Sequence, residues 1–455
     1  MKKVIYFSLA AIFFCCIMVA ANSFAFHHQG MHWVYQGSSV SEQDPHLKHF
    51  VWETARTPNG PFDTIALHRY VRQNLEWIGD PYGPAKDRRK VLFIIPGTWD
   101  RGSAKGSDPN VSETWFFAAN GYDVYSMDFR TSYIPNLSYA QLQDQNFGLD
   151  DALKATADWN YALFREDIKA CVDLAKDISR THRLFLAGRS RGGWQMWMYA
   201  AKYWKQDLKG LISLDGGGPY VLVDANPGKQ MTQAYFQYIV GLFKNGVLPG
   251  YPFLAEVGGY EQAQFAGAVP FSTNAVGMTS IPPIPQPNGQ PVKTVSDLVA
   301  YGAYYAWGAG IVTNYYTPYP GGAGETYMDQ DVLIGIESNF TRYWPNMQNL
   351  ETGALNNYAN NPYLDYDDTQ EVDLPILHFA SAFGCYSGIV HDCYNPSSPV
   401  EPGQSVAART ASTDVTSVIL IGTGKDYGHL DIFSGTHARQ DVMQPALDWM
   451  NDRLK

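Results

Sequence analysis

Cysteine is scarce in this chain, with five among 455 residues, and charge is sparse, at 17%. Lysine and arginine total 33 against 44 acidic residues, a formal charge of −11. No basic stripe is present that could track a phosphate backbone, which excludes nucleic acid from the expected partners. Hydrophobic residues make up 45%, so the chain reads as globular and is long enough for one large domain with an insertion, or for two domains.

One long apolar run stands at the N-terminus. Lys2 and Lys3 precede the stretch from Val4 to Ala21, and Ser23-Phe24-Ala25 follows as a small-x-small site. This is the pattern of a secretory signal peptide, 1–25, cut near Ala25. The alternative is an uncleaved membrane anchor, because the stretch approaches the about 20 residues that span a bilayer. Cleavage implies a secreted or periplasmic protein with no stable membrane insertion. It leaves 31 basic against 44 acidic residues, a charge near −13.

Export gives the few cysteines a meaning. Cys15 and Cys16 leave with the leader, preceded by Ile12-Phe13-Phe14 rather than by the small residues of a lipoprotein signal. Cys171 shares the apolar face of a helix with Ile168, Val172, Ala175 and Ile178. Cys385 and Cys393 remain as a close pair, expected to form a disulfide worth about 2–3 kcal/mol in loop-closure entropy. Alkylation of the native secreted protein should therefore tag neither residue. Two reactive thiols there would remove the bridge.

The organising stretch is Leu184 to Trp204. An apolar run, Leu184 to Ala187, meets Gly188-Arg189-Ser190-Arg191-Gly192, and Trp194, Trp197, Met198, Ala201 and Trp204 follow at helical spacing. Strand, sharp turn and helix are predicted, with a serine at the turn. The G-x-S-x-G pattern in this context resembles the nucleophile elbow of the α/β-hydrolase family. That resemblance implies an α/β fold: a mostly parallel central sheet flanked by helices, here with a large cap insertion. Its implied boundaries are core at 26–215, cap at 216–373 and core again at 374–455.

The remaining segments fit that order. The runs 49–57 and 62–71 flank Pro58-Asn59-Gly60-Pro61 as a hairpin, and the apolar run Val91 to Ile95 reads as a buried parallel strand. It leads into Pro96-Gly97-Thr98-Trp99, which resembles the family's oxyanion loop with proline in place of histidine. The resemblance makes Thr98 one oxyanion donor and Arg191, just after the nucleophile, the other. A strand is predicted over 122–128, where Asp128 has a structural role, paired with Arg130 or the adjoining loop. A long helix is predicted over 150–179. After the strand at 211–214, rich in Leu and Ile, regular alternation stops until Leu374. The intervening segment is rich in Pro, Gly, Tyr and Phe, and is read as a cap over the site. Strands are predicted again over 374–379 and 415–421, with a closing C-terminal helix.

His429, in Gly424-Lys425-Asp426-Tyr427-Gly428-His429-Leu430-Asp431, stands where the family carries its general base, with His437 as the weaker candidate. The family's usual acid position offers only Ala380 to Gly384. Asp215, ending the strand after the elbow helix, is the preferred acid, and Asp392 the alternative. The implied activity is that of a serine esterase or lipase acting on a small-molecule or lipid-like ester through a Ser190-His429-Asp215 triad and an acyl-enzyme, with no cofactor and no metal. An acyltransferase of the same fold and a noncatalytic binding protein are the other readings. The aromatic residues of the cap suit an apolar or aromatic substrate part, or simply form the cap's own core.

Overall fold

The computed structural model describes residues 25–28, 30–73, 79–83, 87–97, 100–103, 112–134, 155–216, 238, 241, 245, 347, 348, 351, 368–381, 410–420, 427 and 431–455. They form a ten-stranded sheet in the order β1-β2-β3-β4-β6-β5-β7-β8-β9-β10. The strands are β1 Ala25–His28, β2 Met31–Val40, β3 Leu47–Ala55, β4 Thr64–Arg72, β5 Val91–Ile95, β6 Asp123–Asp128, β7 Leu184–Arg189, β8 Leu208–Leu214, β9 Ile376–Ser381 and β10 Val415–Leu420. β1 to β4 pair antiparallel, and β4 meets β6 antiparallel. From β6 through β5, β7, β8 and β9 to β10 every pairing is parallel.

β5 and β7 are apolar because both of their faces are covered. Val91 to Ile95 and Leu184 to Arg189 are buried at every position. Alternation along each strand sorts the side chains between two cores. Phe93, Leu186, Leu211 and Ile376 lie in one core with helix α2, Tyr161–Ser179, which contributes Ile168, Cys171, Val172 and Ala175. Leu92, Ile94, Phe185, Ile212 and Leu377 face the opposite layer. That layer holds α1, Glu113–Ala119, with Phe116 and Phe117, and the C-terminal α4, Gln444–Asp452, with Leu447 and Met450. Helix α3, Arg191–Asp207, follows β7 directly.

The helix expected over 150–179 is shorter as found. It starts at Tyr161 because the Asn160 side chain caps it, accepting from Leu163 N–H at 2.8 Å. Arg180, in the left-handed conformation, ends it. A second difference concerns Asp128, which does not pair with Arg130. The Arg130 guanidinium instead joins Asp63 at 2.5 Å and Asp167 at 2.6 Å. Asp128 faces His68 and accepts from Gly102 N–H in the loop after β5, as the other half of that expectation had it. Cys171 is buried with a free thiol, and burial holds its pKa well above the ordinary value. The expected cap, 216–373, and the Cys385–Cys393 bridge lie almost wholly or wholly outside the described residues. Among the described residues no helix is long and apolar enough to cross a membrane.

Candidate active site

Ser190 is the single residue between β7 and α3, and its backbone stands at φ 52°, ψ −123°. A non-glycine residue there carries strain on the order of 1–3 kcal/mol, held in place by the surrounding structure. Ser190 N–H donates to Leu214 O on β8 at 3.1 Å, and Ser190 O accepts from Gly193 N–H at 2.9 Å. The flanking glycines permit this turn by close approach. A Cβ on Gly188 would lie 2.4 Å from Gly192 O, and one on Gly192 would lie 2.5 Å from both Ile95 O and Pro96 O. Gly192→Ala is therefore expected to destabilise the fold by about 1–3 kcal/mol, the cost of overpacking against rigid backbone, as read by chemical denaturation.

The loop after β5 runs against the serine. A Cβ on Gly97 would stand 3.2 Å from Ser190 Cβ and 3.8 Å from its Oγ. Three residues on, Asp100 pairs with Arg189 at 2.6 Å, and the same guanidinium pairs with Glu113 at the start of α1. Burial opposes the Arg189 charge, but these two carboxylates raise its pKa above the ordinary value on balance. Arg189, the residue before Ser190, thus ties the loop and α1 to the turn.

Arg191 opens α3, so its N–H belongs to the first turn, which the i→i−4 ladder does not use. Its side chain is buried against the Tyr161 ring, 5.7 Å from guanidinium carbon to ring centroid, and burial pulls its pKa down to about 10. Tyr161 in turn stacks on Trp194, and its N–H donates to Glu351 at 2.7 Å. Thr98, the other expected oxyanion donor, lies outside the described residues.

Asp215 directly follows β8 and is fully buried at φ 47°. Its N–H donates to Phe379 O at 2.9 Å. A Cβ on the adjoining Gly216 would sit 2.7 Å from Gly193 Cα and 3.1 Å from Ser190 O, so this strand end is packed on the Ser190 turn. His429, Asp392, Cys385 and Cys393 lie outside the described residues. Tyr427 and Ile432, on either side of His429 in sequence, are buried in the α1 and α4 core. Tyr427 OH donates to Asp441 at 2.8 Å. His437 is exposed near the start of the C-terminal helical segment.

One histidine near the site escaped the sequence reading. His378, in the middle of β9 and aligned with Ser213 on β8, is fully buried. Neither ring nitrogen has a hydrogen-bond partner among the described residues. Burial lowers its pKa to about 4, and the Asp215 carboxylate acts in the opposite sense. In LPILHFAS it reads as part of an apolar strand, so periodicity hides it. A folded pKa depressed below the unfolded value of about 6.5 means that the unfolded chain takes up a proton first. Stability is fully present above about 6.5 and falls as pH drops toward about 4, by on the order of 3 kcal/mol for this group. Denaturant titrations at pH 8 and pH 4.5 should show that loss in wild type and a smaller one in His378→Phe.

No group of three or more His, Cys, Asp or Glu suited to a metal ion occurs among the described residues. No family model matches the chain, and no curated protein matches it. Solved structures do. A candidate lipase from Sulfolobus solfataricus superposes with a TM-score of 0.58 at 24% identity, covering 94% of this chain and all of its own. A candidate lipase from Acinetobacter baumannii has a TM-score of 0.39 at 12% identity over 85% of this chain and 89% of its own. The thioesterase domain of the curacin biosynthetic pathway has one of 0.38 at 12% identity, covering 94% and 98%. Sheet order, elbow and the first superposition agree that the chain has the α/β-hydrolase fold.

Proposed function

We propose that the protein is an exported serine hydrolase that cleaves carboxylic esters through an acyl-enzyme. The observation that carries the reading is the backbone of Ser190, strained at φ 52° between β7 and α3 with the Gly97 loop against its side chain. A hydroxyl fixed at a helix N-terminus gains a nucleophile's position, and the first-turn N–H groups gain a developing oxyanion to bind. That the fold neighbour from Sulfolobus solfataricus is described as a candidate lipase supports the same class.

In this mechanism Ser190 Oγ attacks the ester carbonyl while His429 takes the hydroxyl proton. The tetrahedral oxyanion is held by the N–H groups of Thr98 and Arg191. Its collapse breaks the C–O bond to the alcohol, which leaves with the proton from His429. Water, deprotonated by His429, then attacks the acyl-serine, and a second collapse releases the acid and restores Ser190. Asp215 orients the His429 ring and stabilises its protonated form. The leader is cut near Ala25 on export, and the cap at 216–373 covers the site.

A panel of p-nitrophenyl esters of rising chain length tests both activity and pocket. Turnover that grows beyond acetate supports an apolar acyl site lined by cap aromatics, whereas activity confined to acetate removes the large pocket. Added alcohol acceptors separate hydrolysis from acyl transfer in the same assay.

A further inference from the structure

On the α1 face of the sheet, polar side chains line up across four neighbouring strands. Ser39 Oγ on β2 is 3.2 Å from His49 Nδ1 on β3, and His49 Nε2 is 2.9 Å from His68 Nδ1 on β4. His68 Nε2 lies 3.3 Å from Asp128 Oδ1 at the end of β6, a contact that is electrostatic rather than a fully formed hydrogen bond. The His49 ring stacks on Tyr70, with centroids 4.3 Å apart, and on His68 at 5.2 Å, while Trp115 of α1 meets it edge-on at 6.3 Å. Antiparallel pairing explains the row: His49 is opposite Tyr70, and His68 opposite Ser126, so all these side chains share one face.

The His49 Nε2–His68 Nδ1 hydrogen bond carries one proton between the two rings, and the Asp128 carboxylate lies beyond His68 Nε2. Burial, with His68 beside it, holds the His49 pKa down at about 3, so this ring is neutral at ordinary pH. Burial pushes the Asp128 carboxyl up, but His68 and the Gly102 N–H bring it below the ordinary range.

Two members of the row converge on one loop residue. Asp128 Oδ1 accepts from Gly102 N–H at 2.7 Å, and Tyr70 OH donates to Gly102 O at 3.0 Å. Gly102 is pressed onto β6 so closely that a Cβ would lie 2.5 Å from Met127 backbone atoms. Gly102 lies in the same connection after β5 that carries Gly97 against Ser190 and Asp100 on Arg189. We propose that Asp128, oriented by the His49–His68 pair, is a positioning residue that holds Gly102 and thereby keeps the loop after β5 seated against Ser190. The inference rests on Ser190 being the nucleophile.

Asp128→Ala is expected to lower kcat about 10- to 100-fold with KM within about twofold of wild type, because a displaced oxyanion loop loses interactions made in the transition state. Asp128→Asn keeps an oxygen for Gly102 N–H and should recover kcat to within about threefold. His68→Phe should lower kcat by itself and add little in the Asp128→Ala background, as expected of residues acting in one row. Amide exchange, read by mass spectrometry without substrate, should rise over 97–103 in Asp128→Ala and not in Asp128→Asn. Unchanged kcat in Asp128→Ala, an effect on KM alone, an Asn variant as impaired as the Ala variant, or unchanged exchange would each overturn the proposal. If Asp128→Ala does not fold, the Asn variant and the exchange of His68→Phe, expected to rise over the same segment, still decide. If Ser190→Ala keeps wild-type turnover the nucleophile reading fails, whereas the exchange data judge Asp128 on their own.

Discussion

Ser190→Ala and His429→Ala are each expected to lower kcat by about 10⁶ on whichever ester the enzyme turns over best, with the fold intact. The size follows from the chemistry assigned to the pair. A serine hydroxyl without a base attacks an ester poorly, and a base without the hydroxyl has only water to activate, so losing either side chain removes the same step. The losses should not add in the double variant. Ser190 packs in no core, and alanine accepts the elbow no worse than serine, so denaturant midpoints should stay close to wild type. Wild-type turnover in His429→Ala combined with loss in His437→Ala would move the base to the exposed residue at the start of the C-terminal helical segment.

Asp215→Asn is expected to cost about 10⁴ in kcat, because an amide presents the wrong partner to the base and leaves its ring misoriented and its charge unsupported. Backbone geometry makes this substitution a clean one. Asp215 stands at φ 47°, in the left-handed region, and asparagine is a residue that tolerates that region well. Its N–H bond to Phe379 O and the packing of Gly216 on the elbow do not depend on the side chain. Asp392→Asn is the necessary companion. If only that variant is crippled, the acid belongs to the segment between the two cysteines and the assignment to Asp215 fails. A side effect separates chemistry from stability: without the Asp215 charge, His378 should take up a proton at still lower pH, deepening the acid loss of stability.

Much of this site could be read from local sequence because its parts are local. Gly188, Ser190 and Gly192 stand within one five-residue stretch, although Gly192 is pressed by Ile95 O and Pro96 O from outside it, and the apolar runs Val91 to Ile95 and Leu184 to Ala187 announce strands covered on both faces. What escaped the sequence depends on strands brought together by folding. His378 sits inside an apolar run, and nothing nearby marks it as the buried neighbour of Asp215. His49, His68 and Asp128 are far apart in the chain and meet because β3, β4 and β6 are adjacent, with Tyr70 and Gly102 completing the row. Of the two expected partners of Asp128, the adjoining loop holds it through Gly102 N–H, whereas Arg130, its neighbour in sequence, serves Asp63 and Asp167 from other elements. The first strands were missed too. β2 alternates irregularly at the sheet margin, where exposure relaxes the pattern that marks a strand.

The proposed mechanism depends on one reactive atom, Ser190 Oγ, and a fluorophosphonate probe tests it most directly. Incubated with the mature protein at neutral pH, the probe should add once per chain. Mass spectrometry should place the adduct on Ser190, and neither Ser190→Ala nor His429→Ala should be labelled on the same timescale. Absence of labelling in folded wild-type protein, or an adduct that persists in Ser190→Ala, would contradict the assignment of Ser190 as an activated nucleophile.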